Sequence, residues 1–199
     1  MLWKRQNEQE TKMRIVGGKH RGRQLLTPSG RELRPTSDRV RESIFNILIQ
    51  GGETLGRRNW VQNARILDGF AGTGAIGLEA VSRGASHATL LDNQDTALIC
   101  CRHNVEKLHE NNNVDVHFMD CLKPEKADHQ CSLVFLDPPY GLDLTIPALE
   151  ALAITGWIAP NALAVLELGR TEKIELPPNF SLLDERHYGK VKVLFIGVL

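Results

Sequence analysis

The chain has 199 residues, 42% of them hydrophobic and 24% charged, enough for one domain with a core and up to about 50 residues to spare. No apolar run reaches the ~18 residues of a membrane span, and Met1–Glu10 has no apolar leader region, so a cytoplasmic protein with no membrane partner is expected. Net charge is zero, but residues 1–42 hold eleven Lys/Arg against five Asp/Glu, a net +6, which leaves −6 on the rest and suggests that the basic head meets a polyanion.

Residues 1–12 are polar and aperiodic and read as a flexible tail, with Met13 as a second possible start. Arg14–Leu26 sets two short apolar stretches around a Gly- and base-rich middle, the pattern of a β-hairpin with a cationic turn. Pro35-Thr36-Ser37-Asp38 starts a helix, with Thr36 or Ser37 as cap and Asp38 in the positive first turn. Val40, Ile44, Ile47 and Leu48 recur at helical spacing until Gly51-Gly52 stops it. Residues 53–63 read as a loop.

Strand–helix alternation follows. Strands are predicted at 64–68, 87–92, 114–119, 131–136, 162–168, 180–187 and 191–198, with helices near 74–83, 94–109 and 144–154. This is an α/β fold: a mostly parallel seven-stranded sheet with an antiparallel strand at its end, plus a small N-terminal hairpin and helix. The organisation is a tail over 1–12, a basic extension over 13–52 and the α/β domain over 53–199. Cys100, Cys101, Cys121 and Cys131 lack metal-ligand spacing and read as reduced, buried thiols, so no metal site is expected.

Asp68-Gly69-Phe70-Ala71-Gly72-Thr73-Gly74 lies between a strand and a helix, where glycines admit close backbone approach and a helix N-terminus favours an anionic group. Gly72–Gly77 also matches the dinucleotide fingerprint, which makes a nicotinamide oxidoreductase an alternative. Asp68 weighs against it. An acid there repels a pyrophosphate but accepts from the ammonium of an amino acid, and S-adenosylmethionine carries an ammonium and a carboxylate. Asp92, at the end of the second strand, suits ribose hydroxyls, and Asp120, after the third, suits an adenine amine.

Asp137-Pro138-Pro139-Tyr140 follows the apolar strand Cys131–Leu136, which sets Asp137 beside the Gly-rich loop. A carboxylate and the Pro138 carbonyl both accept from an exocyclic amine, and Tyr140 offers a stacking face, equipment for a base taken out of its stack. The chemistry read from this is direct methyl displacement with no covalent enzyme intermediate. A DNA adenine-N6 or cytosine-N4 methyltransferase and a non-catalytic RNA-binding module are the other readings.

The chain resembles the RsmD-type small-subunit ribosomal RNA guanine-N2 methyltransferases. The resemblance rests on Arg14–Arg23, on Arg34–Glu42, on Leu67–Gly74 and on Asp137–Tyr140. It implies a Rossmann-like class I methyltransferase fold, a monomer, and methylation of guanine 966 of 16S rRNA in an assembled or assembling small subunit. It implies S-adenosylmethionine contacts at Asp68, Gly69, Phe70, Ala71, Gly72, Thr73, Gly74, Asp92 and Asp120. Thr36, Asn93 and Cys121, which adjoin these motifs, are read with them. Asn93 is neutral where the family commonly has an acid or another charged residue. Asp137, Pro138 and Tyr140 would hold the target base, and Lys19, His20, Arg21, Arg23, Arg34 and Arg39 would grip RNA.

Overall fold

A computed structural model of the chain describes residues 13–27 and 37–199. The tail over 1–12, the RNA contact expected of Arg34 and the cofactor contact expected of Thr36 lie outside those residues. The strands are β1 Arg65–Gly69, β2 His87–Asp92, β3 Val114–Phe118, β4 Cys131–Leu136, β5 Ile158–Gly169, β6 Phe180–Tyr188 and β7 Val191–Val198. They form one sheet in the order β3-β2-β1-β4-β5-β7-β6.

β1 to β5 pair in parallel, and β7 runs antiparallel to both β5 and β6. The expected antiparallel terminal strand is β7, the last strand of the chain, which lies between β5 and the edge strand β6. Burial explains the order. Val193–Ile196 are buried, whereas every residue of β6 after Phe180 is half-buried or exposed. An apolar strand gains from neighbours on both flanks, and a polar one tolerates the edge. β5 begins at Ile158, earlier than its apolar run, and its register against β4 shifts between Cys131 and Leu133.

Helices α1 Asp38–Gln50, α2 Ala75–Ser82, α3 Asp95–Leu108 and α4 Thr145–Ile154 cover the sheet. α2 and α3 pack on one face and α4 on the other, as right-handed crossovers require when the chain moves outward from β1 to β3 and then back to β4. The direction reverses between β1 and β4, and the carboxyl ends of those neighbours frame a crevice. α1 packs Ile44, Phe45 and Leu48 in one cluster with Phe135, Val165 and Phe195. It covers the half of its face that α2 and α3 leave bare. Ser37 caps it by accepting from the Val40 N–H, and Gly51, at φ +55, ends it.

The N-terminal hairpin is reduced. A single bridge joins Arg14 to Gln24, and a 3-10 turn occupies Gly18–His20. The Leu25 N–H donates to the Met13 carbonyl and the Ile15 N–H to the Arg23 carbonyl, at 2.9 Å each, on either side of that bridge, and side chains of α2 hold the backbone beyond it. Glu79 Oε2 accepts the Val16 N–H at 2.8 Å, Ser82 Oγ donates to the Gly17 carbonyl at 2.6 Å, and the His20 N–H donates to Ser82 Oγ at 2.9 Å. Residues 53–63, read as a loop, include a short 3-10 turn at Glu53–Leu55. Among the described residues, no helix is long and apolar enough to cross a membrane.

Candidate active site at the carboxyl edge of the sheet

Strand register brings the motif residues together. Gly69 pairs with Leu91 of β2 on one side and with Leu136 of β4 on the other. Asp92 and Asp137 each follow those partners by one residue. Leu136 pairs in turn with Leu166 of β5, so Glu167 follows one place on. Four adjacent strands, β2, β1, β4 and β5, therefore each bring a carboxylate to this edge.

The loop after β1 is tied down from within. Asp68 Oδ2 accepts the Gly77 N–H at 2.9 Å, which caps the first turn of α2. Asp92 Oδ2 accepts the Gly72 N–H at 2.8 Å, and its Oδ1 accepts the Gln94 N–H at 2.9 Å. Phe70 sits at φ +61, a left-handed conformation that costs a non-glycine residue about 1–3 kcal/mol and that clusters at functional sites. The glycines do less for ligand approach than their spacing suggests. A Cβ at Gly69 would lie 2.7 Å from Leu136 Cδ2, one at Gly74 2.8 Å from Leu90 Cδ1, and one at Gly77 would collide with Leu90 Cδ2. Those three positions are small so that strand, loop and helix can pack on each other.

Electrostatics single out Asp68. Burial raises its carboxyl from the ordinary 3.8 to about 7, the Gly77 N–H opposes this, and the nearby Asp92 adds to it. Asp68 is 4% and Asp92 9% exposed, and among the described residues neither has an ion pair. Two buried carboxylates without a cationic partner suit a ligand that brings positive charge.

The remaining predicted cofactor contacts differ among themselves. Asn93 is exposed beside Asp92, and its side chain accepts from Gln94 Nε2 at 3.0 Å. Asp120 Oδ1 accepts the Leu122 N–H at 2.9 Å. Thr73 is buried and donates to Met13 Sδ at 3.1 Å. Cys121, expected at the ligand, instead has its thiol buried beneath Gly69 in the second core cluster. Burial pushes that thiol up to about 12 even though it accepts the Phe70 N–H. It is a floor under the loop.

At the far side of the crevice Asp137 is half-buried, Pro138 buried and Tyr140 40% exposed. The Tyr140 hydroxyl donates to Glu167 Oε1 at 2.7 Å. Nothing in Leu166-Glu167-Leu168 marks Glu167 in sequence, because it reads as one polar residue in a strand. Only its place on the rung of Asp137 gives it meaning.

The basic extension divides into anchors and exposed charges. His20, expected at RNA, turns inward: its ring is paired with Glu110 and its side chain is 13% exposed. Lys19 Nζ reaches the same carboxylate at 2.7 Å. Burial alone would raise Glu110, but hydrogen bonds from His20, Lys19 and Asn113 outweigh it and hold the group below its ordinary range. Arg41, counted in the basic head, is wholly buried, with Nη2 donating to the Arg14 carbonyl at 2.5 Å and to Asp38 Oδ1 at 2.8 Å. Arg21, Arg23 and Arg39 remain exposed. Asn104, another residue with no signal in sequence, is fully buried. It accepts the Leu26 N–H at 2.7 Å and donates to the Leu26 and Thr73 carbonyls at 3.0 Å each, which ties the extension to the Gly-rich loop. Among the described residues no group of three or more His, Cys, Asp or Glu could hold a metal ion.

Comparison with known proteins covers almost all of the described chain. The family of conserved hypothetical protein 95 matches residues 13–197. The ribosomal RNA small subunit methyltransferase D of Haemophilus influenzae is 33% identical over 183 residues, 90% of each chain. That of Escherichia coli K12 is 36% identical over 182 residues, 90% of this chain and 86% of the relative. The solved structure of Escherichia coli yhhF matches with a TM-score of 0.78 at 33% identity, covering 94% of this chain and 98% of that one.

Proposed function

Because the chain belongs to the conserved hypothetical protein 95 family, that of the RsmD-type ribosomal RNA methyltransferases, we propose that it methylates N2 of one guanine in 16S rRNA. The position implied by the resemblance is guanine 966, in the small subunit. The methyl donor is S-adenosylmethionine, and the protein works as a monomer in the cytoplasm. The observation that carries this reading is the placement of Asp137 across the β1–β4 crevice from the Asp68–Gly74 loop.

The donor fits the residues present. Its ammonium and sulfonium would supply the positive charge that buried Asp68 and Asp92 lack, its ribose hydroxyls would meet Asp92, and its carboxylate would meet the first turn of α2. Gly74, the N-cap of α2, has no side chain to cap it, and Asp68 takes the Gly77 N–H of the first turn, so the dipole and the turn's other N–H groups are left to favour an anion. When bound, S-adenosylmethionine supplies a methyl whose C–S bond breaks with the electron pair left on sulfur. The protein's share is to hold the nucleophile. Asp137 and the Pro138 carbonyl accept the two N–H bonds of guanine N2, which turns the nitrogen lone pair out of the ring and toward the methyl. Tyr140 stacks on the extruded base. As the N–C bond forms the nitrogen becomes cationic, and the Asp137 charge stabilises it and takes the departing proton.

The test uses small ribosomal subunits from cells lacking the protein. Incubation with the protein and labelled S-adenosylmethionine should place one N2-methylguanosine in 16S rRNA, located by nuclease digestion and mass mapping. Asp137→Ala should lower turnover by about a hundredfold or more while cofactor affinity holds. A methyl group on another base, or full turnover in Asp137→Ala, would overturn the reading.

A further inference from the structure

An Asp-Pro-Pro-Tyr grip holds an exocyclic amine, and guanine, adenine and cytosine all offer one. They differ at the ring nitrogen beside it. Guanine N1 carries a hydrogen and donates, whereas adenine N1 and cytosine N3 accept. A second acceptor next to Asp137 would therefore select guanine by attraction and reject the other two by repulsion.

The structure holds a residue of that kind. Glu167, two residues before the end of β5, lies on the rung after Leu136–Leu166, the rung that Asp137 also occupies. Adjacent strands lie about 4.8 Å apart, so side chains from the two positions can converge on neighbouring atoms of one base edge. Glu167 is 7% exposed. Its Oε1 accepts from the Tyr140 hydroxyl at 2.7 Å, which fixes the carboxylate beside the residue read as the stacking face. Glu167 pairs with Val193, and Val193 belongs to the core cluster on the face that α1 and α2 cover. Strand alternation puts Asp68 and Asp92 on that same face, since each lies two residues from a member of that cluster, Ile66 and Leu90.

We propose that Glu167 is the specificity-determining residue of the site, its carboxylate accepting guanine N1–H while Asp137 accepts from N2. The inference rests on the guanine-N2 reading and adds to it the group that distinguishes the base.

The probe is 2-aminopurine, which keeps the amine at C2 but has an accepting N1. Small subunits are assembled from 16S RNA carrying guanine or 2-aminopurine at the methylated position, and methyl transfer is followed for each. The wild-type protein should prefer guanine by about a hundredfold or more, since a site built to bind a donor rejects an analogue without one. In Glu167→Gln the amide can turn its NH₂ to N1, and the guanine to 2-aminopurine ratio should fall at least about tenfold. Equal slowing on both substrates would assign Glu167 to holding Tyr140 and overturn the proposal. Equal wild-type rates on the two substrates would overturn it without any variant. Wild-type protein that leaves guanine N2 unmethylated would bring down the guanine-N2 reading itself, a different result from an unchanged ratio.

Discussion

Asp68 shows how a sequence signal and a structural role can diverge. Its position at the end of a buried strand makes it a candidate ligand for an ammonium, yet Oδ2 is engaged by the Gly77 N–H and burial holds the carboxyl at about 7. The folded value lies above the ordinary 3.8, so folding favours the protonated form. The stability this group contributes is full below pH 3.8 and is lost as pH rises toward about 7. Asp68→Asn should flatten that fall in denaturant titrations between pH 4 and 7. An ammonium set against Asp68 favours its ionised form, so binding S-adenosylhomocysteine, which keeps the ammonium but not the sulfonium, should release protons below pH 7. Calorimetry in buffers of different ionisation heat should detect the release in the wild type and lose it in Asp68→Asn. Asp68, Asp92 and Asp137 are legible because each closes an apolar run next to a turn. Glu167 is not, because pairing between strands gives it its place and sequence spacing does not record that.

At the scale of elements, the bounds of α2 agree with its periodicity to within a residue or two, but its polar face does not behave as a solvated one. Glu79 is wholly buried. It takes Arg83 Nε at 2.6 Å and the Val16 N–H, and lies 3.7 Å from Arg41 Nε. One carboxylate thus serves three groups from the extension, α1 and its own helix. Glu79→Ala would take from Arg83 its carboxylate partner and leave Arg41 with Asp38 but without Glu79, which should destabilise the fold by about 3–5 kcal/mol. Urea unfolding should show it as a lower midpoint with an unchanged slope. The same carboxylate fastens the short predicted hairpin to α2. The Val16 N–H and the Gly17 carbonyl bond to side chains of α2, and periodicity within one segment carries no sign of that helix. Strands β1, β2 and β4 are legible almost to the residue because their apolar runs end sharply.

Across the whole molecule the basic head divides its charges. Arg14 pairs with Asp38 at 2.9 Å, Lys19 with Glu110, and Arg41 is internal. Sequence counting gives the sign of the extension but cannot separate charges that hold it down from charges that face outward. Arg21 and Arg23 flank Gly22, and all three are exposed. Replacing both arginines with Glu should weaken binding to small subunits and flatten its dependence on salt, by about 0.7–0.9 in the logarithmic slope for each phosphate no longer neutralised. An unchanged slope in filter-binding titrations would remove this turn from the RNA surface. The order of the last strands has a consequence of another kind. β6 precedes β7 in the chain but reaches the sheet only through it. β6 therefore cannot join the sheet before β7, and the short turn at Gly189 lets the two zip into a ribbon locally, on a scale of about 1–10 μs. In pulse-labelled refolding, amides of β6 and β7 should become protected in the same kinetic phase.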